Sequence, residues 1–294
     1  MTTVERIPCP DRNTFEREIV PLRRPVILTG GLDTWGARSW SFSFFRQRYG
    51  NVKVAVEEGE LFECSPVTSK GRLLAKVRRQ ITLAQFVNHM ERPIEGIGRL
   101  YLAEWRILEQ LPELDCDIDF NFPGLFPREL AAPTTVYMGP SGTYTPLHFD
   151  YAPNLTAQLR GHKKWVFYPP EETRRLYAYP WYSQLAHFSA ADSPAKLVDF
   201  ARFPMLREAS GIEAIVQEND LLYVPEMWWL HVLGLSPSIS LNFFWKPLPL
   251  LVWQIAARPV NRALKRTRAS DVPNQFAALA FALRSRSGSG TRKG

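Results

Sequence analysis

From residue 134 onward the chain alternates apolar and polar positions in short runs, the period-two pattern of half-buried strands. Residues 134–138 form one such run, Gly139-Pro140-Ser141-Gly142 is a turn, and 144–150 form the next. Residues 154–160 alternate cleanly, and Gly161 turns them back into 163–168 ahead of Pro169-Pro170, as in a hairpin. Runs at 220–224 and 239–245 complete a set dense enough for a barrel or sandwich. Between them, residues 171–215 read as irregular. Tyr177, Tyr179, Trp181 and Tyr182 in that stretch suit a lid or insertion over a site.

The first 60 residues predict a small α/β entry segment. Residues 24–31 are an apolar strand closed by Gly30-Gly31, 41–49 a helix stopped at Gly50, and 51–56 an alternating strand. A stronger helix start follows at Thr82, where Gln85 completes a capping box and Ile81 faces Phe86 as a hydrophobic staple. That helix runs to about His89 or Met90, before Pro93, and His89 belongs to its surface or partly buried face. Residues 99–103 are a short strand. The alternating Asp115, Asp117 and Asp119 lie in a Pro-broken stretch without the glycine and glutamate of a calcium loop, which predicts a solvated loop. Residues 258–283 repeat apolar positions at helical spacing (Phe276, Leu279, Ala280, Leu283), and 284–294 are Ser/Gly/Arg-rich and read as a disordered basic tail.

At 294 residues the chain suffices for one large domain. Nine Trp and eighteen Phe suit a β-rich fold filled by flat side chains. The net charge of +7 suggests nucleic acid until it is located: residues 258–294 hold nine Lys/Arg against Asp271 alone, so the remainder is nearly neutral. Nucleic-acid binding therefore rests on an appendage and is not expected of the body. Cys9, Cys64 and Cys116 are odd in number and widely spaced, forming neither a disulfide framework nor a zinc ribbon. With no signal-peptide core and no apolar run of membrane-spanning length, the expectation is a cytoplasmic chain without membrane contact.

The chemistry concentrates in Thr145-Pro146-Leu147-His148-Phe149-Asp150. In a strand, His148 and Asp150 project to one face. A second imidazole, His231, ends an aromatic stretch read as a loop after Pro225. Two His and a carboxylate are the facial triad of non-haem Fe(II) oxygenases, although zinc accepts the same donors. A dicarboxylate co-substrate would also need a cation and hydroxyls. Thr145 and either Lys163 or Lys164 are within reach, and spacing does not separate the two lysines.

These stretches, with Asn154, 158–164, Tyr168-Pro169-Pro170, 220–225, Trp228-Trp229-Leu230-His231 and 240–245, resemble the JmjC/cupin-8 family of 2-oxoglutarate oxygenases. Within it they are similar to the asparaginyl hydroxylase branch that acts on hypoxia-inducible factor. Arg24-Pro25-Val26-Ile27-Leu28 matches the family's entry strand, so the likeness covers roughly 15–247. The resemblance implies a mainly β fold with flanking helices: a double-stranded β-helix (jelly-roll, cupin) core, an N-terminal α/β segment and C-terminal helices. It implies an oxygenase domain over 1–257, a helical extension over 258–283 and the tail 284–294.

It further implies that His148, Asp150 and His231 bind Fe(II) and carry catalysis. Lys163, Thr145 and Tyr101 would hold the 2-oxoglutarate C5 carboxylate, with Asn154 and Asn242 lining the same region. Lys163 is preferred to Lys164 by this match alone. Phe244 stands where the family usually has Trp. The implied reaction is O2-dependent hydroxylation of an unactivated C–H, releasing succinate and CO2, and the presence of Asp150 favours hydroxylation over halogenation. A protein or peptide side chain is the expected substrate, with a small molecule the alternative and lysine demethylation ranked lower. A non-catalytic cupin binding or scaffold protein is the alternative of another class. The C-terminal helices are an expected homodimer surface.

Overall fold

The computed structural model describes residues 2–59, 78–92, 98–119, 133–180, 185–191 and 199–245. Its centre is a jelly roll of eight strands: β1 Thr135–Gly139, β2 Tyr144–Phe149, β3 Asn154–Arg160, β4 Lys163–Tyr168, β5 Ile212–Val216, β6 Asp220–Val224, β7 Trp229–Gly234 and β8 Ser238–Phe244. They divide into two facing sheets. The smaller has the order β5-β4-β7-β2, with Thr2–Thr3 added outside β5. The larger runs Glu5–Pro8, Val26–Thr29, β6, β3, β8, β1, Arg99–Trp105, Lys53–Gly59 and Arg78–Thr82. The fold is the mainly β, jelly-roll class that the resemblance implies.

The main hydrophobic core lies behind the larger sheet, not between the two sheets. Val136, Met138, Leu155, Ala157, Ile239 and Leu241 point outward from it and pack on Phe15, Trp40, Phe45 and Phe86. Phe45 comes from the predicted helix of the entry segment and Phe86 from the predicted helix that starts at Thr82. Helix Phe42–Tyr49 is capped by Ser41, whose hydroxyl accepts from the Phe44 N–H at 3.1 Å. Helix Leu83–Glu91 carries the predicted capping box, with Gln85 N–H donating to Thr82 Oγ1 at 3.2 Å and Thr82 N–H to Gln85 Oε1 at 2.9 Å. His89 is buried on that helix and bonds the Gly98 carbonyl, more enclosed than its sequence position suggests.

Several local expectations change. Residues 212–216 are a strand rather than irregular, and 229–234 are a strand rather than the end of a loop. Asp117 and Asp119 are not merely solvated: Asp117 accepts from the Trp40 indole at 2.8 Å and Asp119 from Thr34 at 3.0 Å, tying this stretch to the entry segment. The aromatic insertion runs along the open edge of β2, where Phe149 N–H donates to the His187 carbonyl and Ser189 N–H to the Leu147 carbonyl. Trp181 and Tyr182, the helical extension 258–283, its dimer surface and the tail 284–294 lie outside the described residues.

The β3–β4 turn sets the position of the strand that carries Lys163. Gly161 has φ +70°, and a Cβ there would stand 2.1 Å from the Pro237 carbonyl oxygen. Gly161→Ala should therefore destabilise the chain by at least about 1–2 kcal/mol, the cost of a left-handed L-residue. Urea denaturation checks this; a change below about 0.5 kcal/mol, the size of an ordinary surface effect, would contradict it.

Candidate active site

With apolar side chains turned to the outer core, period two sends the others of the larger sheet into the jelly roll. One row across the strands reads Thr135, Asn242, Thr156, and the next Tyr137, Ser240, Gln158. Ser240 donates to Gln158 Oε1 at 2.9 Å, and Gln158 Nε2 donates to the Arg160 carbonyl at 2.6 Å. Other polar atoms are buried without a partner: Thr135 Oγ1, Asn154 Oδ1 and Asn242 Oδ1. Buried polar groups are nearly always satisfied, so this unmet hydrogen-bonding capacity marks a surface built to meet something polar. The other end of the interior is apolar, filled by Ile27, Leu222, Val224, Trp165 and Phe167.

Lys163 projects from β4 into the polar end. It is 4% exposed, and its Nζ lies 5.9 Å from the centroid of the Tyr137 ring on the facing sheet. No carboxylate pairs with it among the described residues, and burial brings its ammonium down to about 7. Lys164 points the other way and pairs with Glu213 at 2.8 Å on the outer face. The sheet thus separates two lysines that spacing does not. Tyr101 stands beside Tyr137 with ring centroids 6.3 Å apart. Gly139 makes that approach feasible, since a Cβ there would come within 2.6 Å of the Tyr101 ring. Burial, reinforced by Glu104, Tyr101, Asp150 and Glu57, pushes the Tyr137 phenol well up, so it stays a neutral donor. Tyr137 is absent from the sequence-derived site; its place two residues before the turn glycine, Gly139, on an alternating strand was the available signal.

Thr145 pairs across to Val232 and His148 to Leu230, with a bulge between, so both face the interior. His148 Nδ1 lies 2.7 Å from the Pro146 carbonyl, an acceptor only, so Nδ1 carries the proton and Nε2 keeps its lone pair. That Nε2 lies 3.8 Å from Asp150 Oδ1. Phe188 stacks on the His148 ring at 5.6 Å. Burial holds the Asp150 carboxyl above its usual value, opposed by His148.

His231 stands on the neighbouring strand, at the bulge between Leu230 and Val232. Along β7, Trp229 packs against Phe149 at 4.8 Å, Leu230 and Val232 join the inner cluster, and His231 pairs with Val166 of β4. Its ring rests on Tyr144 at 5.8 Å, burial lowers its pKa to about 4 with Lys164 and His148 adding, and its Nδ1 has no partner. The residue opposite His148 on the inner face is Leu230, 2% exposed.

A one-residue slip would exchange the faces. It would expel Leu230 and Val232 at about 1.5–3 kcal/mol each and break the Trp229 indole bond to Thr173 Oγ1 at 2.9 Å. The structure brings His148 and Asp150 together, and His231 stands on the neighbouring strand with its Nδ1 buried and unpartnered. Among the described residues no group of three His, Cys, Asp or Glu is placed to hold a metal. Imidazole and carboxylate are the donor types an Fe(II) centre takes, and the set around Lys163 fits a dicarboxylate.

A family model described as a cupin-like domain matches residues 12–250. Lysine-specific demethylase 8 of Danio rerio is 31% identical over 248 residues, covering 82% of this chain and 58% of that protein. Lysine-specific demethylase JMJ30 of Arabidopsis thaliana is 31% identical over 230 residues, covering 75% of this chain and 49% of that protein. The chain thus spans about half the length of these two relatives. The bifunctional peptidase and (3S)-lysyl hydroxylase JMJD7 of Homo sapiens is 25% identical over 254 residues, covering 79% of this chain and 80% of that protein. Among the described residues no helix is long and apolar enough to cross a membrane. Jelly-roll order, family match and relatives agree: the chain belongs to the cupin-like, JmjC-type family of 2-oxoglutarate oxygenases.

Proposed function

We propose that the chain binds 2-oxoglutarate in its polar interior and acts on a protein or peptide side chain. The single observation that carries the first part is Lys163, a buried ammonium without a carboxylate partner among the described residues. An uncompensated buried charge is costly, and a dicarboxylate relieves that cost. Lys163 supplies the cation for its far carboxylate, the Thr145 hydroxyl and the Tyr137 and Tyr101 phenols supply neutral donors, and Asn154 and Asn242 offer amides that reorient to donate or accept. The substrate class rests on the relatives named for lysine demethylation and lysyl hydroxylation.

The finer reading is hydroxylation, with release of succinate and CO2. The observation that favours it is the His148–Asp150 pair, with Nδ1 of His148 committed to Pro146 and Nε2 free for a metal. In the family, bound iron activates O2 for attack on a C–H bond. In this chain His148, Asp150 and His231 are the residues that would hold that ion, and no step is assigned through it. Succinate formation from 2-oxoglutarate with added Fe(II) and O2 tests this finer reading; its absence, with 2-oxoglutarate binding intact, leaves the binding function alone.

Two outcomes are expected for Lys163. Below about pH 7 its ammonium is charged in the free folded chain. Above that pH, binding must take up a proton, so 2-oxoglutarate affinity should fall by up to about tenfold per pH unit. Calorimetric titration between pH 6 and 9 reads this, and a flat profile would contradict it.

Lys163→Met should weaken binding roughly 10- to 100-fold, the loss of a charge-assisted bond, and remove the pH slope. It should also raise the melting temperature of the ligand-free chain at pH 7. The folded pKa lies below the unfolded one, so the wild-type penalty is full below about 7 and vanishes as pH rises toward 10.5. Unchanged affinity in this variant would move the carboxylate elsewhere.

A further inference from the structure

The strand Arg99–Trp105 borders β1, and a bulge breaks its alternation. Leu102 pairs with Met138 and Trp105 with Val136, so Ala103 and Glu104 together stand opposite the single residue Tyr137. Leu102 and Trp105 both lie in the outer core although they are three residues apart. Strict alternation would put them on opposite faces; the extra residue lets Glu104 share the inner face with Tyr137. The neighbouring strands agree. Arg78 stands directly across from Glu57, and Glu57 from Tyr101, so these three share a face. Arg78 lies 3.5 Å from Glu57 and 3.9 Å from Glu104, which sets Glu104 on that face as well.

Glu104 is held there under strain. Its φ is +55°, a left-handed conformation that a residue with a Cβ disfavours, and such strain collects where a side chain's placement is used. The carboxylate is 61% exposed, and its contact with Arg78 is long and shared with Glu57. Its charge also reaches inward: burial raises the Tyr137 phenol and the Asp150 carboxyl, and Glu104 adds to both. One row from Tyr137, Thr135 Oγ1 and Asn242 Oδ1 stand across from each other, buried and without a partner. A carboxylate open to solvent, with two unmet oxygen acceptors behind it, complements a group that is positive and rich in N–H donors.

We propose that Glu104 is a specificity-determining residue of this site and selects a substrate side chain that ends in a cation, an ammonium or a guanidinium. The proposal rests on the 2-oxoglutarate binding and the side-chain substrate proposed above, and adds the charge that the substrate brings. Lys163 and Glu104 divide the interior between them. The ammonium draws the dicarboxylate inward, the carboxylate draws the substrate cation to the mouth, and each repels the other's ligand.

The test uses the full-length chain and blocked pentapeptides with lysine, arginine or norleucine at the centre and glycine elsewhere. Peptide binding is read by calorimetry with and without 2-oxoglutarate, whose own binding is titrated separately. The wild type should bind the lysine or the arginine peptide roughly 5- to 10-fold tighter than the norleucine peptide, between the worth of an exposed ion pair and that of a charge-assisted hydrogen bond. Whichever basic peptide binds tighter names the cation. Glu104→Gln should erase the preference while 2-oxoglutarate still binds. Glu104→Gly should erase it too and raise the melting temperature, because glycine accepts the left-handed backbone without strain; a residue kept for structure alone would not lose binding while the fold gains.

Equal binding of all three peptides by the wild type would overturn the proposal. So would no measurable binding of either basic peptide, or a preference that survives Glu104→Gln or Glu104→Gly. Failure of 2-oxoglutarate to bind the wild type, with the basic preference intact and lost in both variants, would instead remove the binding function proposed above and leave Glu104 its role. The two failures are thus separable.

Discussion

A strand gives each face every second side chain, and that constraint decides what this jelly roll holds. On β3 and β8 it sends Leu155, Ala157, Ile239 and Leu241 to the core behind the sheet. It leaves Asn154, Thr156, Ser240 and Asn242 buried on the inside. On β4 it puts Lys163 inside and Lys164 outside, and on β7 it puts Leu230 and Val232 inside. The interior is therefore cationic and rich in hydrogen-bonding groups, with the His148 imidazole and the Asp150 carboxylate at its rim.

Stability and function are thereby assigned to opposite faces of one sheet. The apolar face buries large aromatic side chains against the N-terminal helices, and that burial supports the fold independently of what the interior contains. The inner face keeps a buried ammonium and unpaired amide groups, which weaken the ligand-free fold and strengthen attraction for an anion. A site of this kind is held by a rigid frame rather than by its own contacts.

Much of this was legible. The β3–β4 hairpin, the capping box at Thr82, the same-face pair His148 and Asp150, and Lys163 at a strand start could all be read from spacing or resemblance. β5 and β7 could not. Ile215 breaks the alternation of β5 by standing exposed on its outer face. β7 is covered on both sides, by Leu147, Phe149 and Leu176 outside and by Trp165 and Phe167 inside, so it reads as a continuous apolar run without period two. Treated as a loop, Leu230-His231 has no facing direction; as a strand, its Leu230 joins the inner cluster. The polar alternation of β3 was visible too, but whether its Asn, Thr and Gln faced solvent or a site depended on which side carried the core.

The most direct measurement is a crystal structure of the chain grown with both Mn(II) and 2-oxoglutarate, with anomalous data collected to locate manganese. The account predicts density for the dicarboxylate against Lys163 and Tyr137, with the manganese peak beside His148 and Asp150. A dicarboxylate bound away from Lys163, or a manganese peak remote from His148, would contradict it.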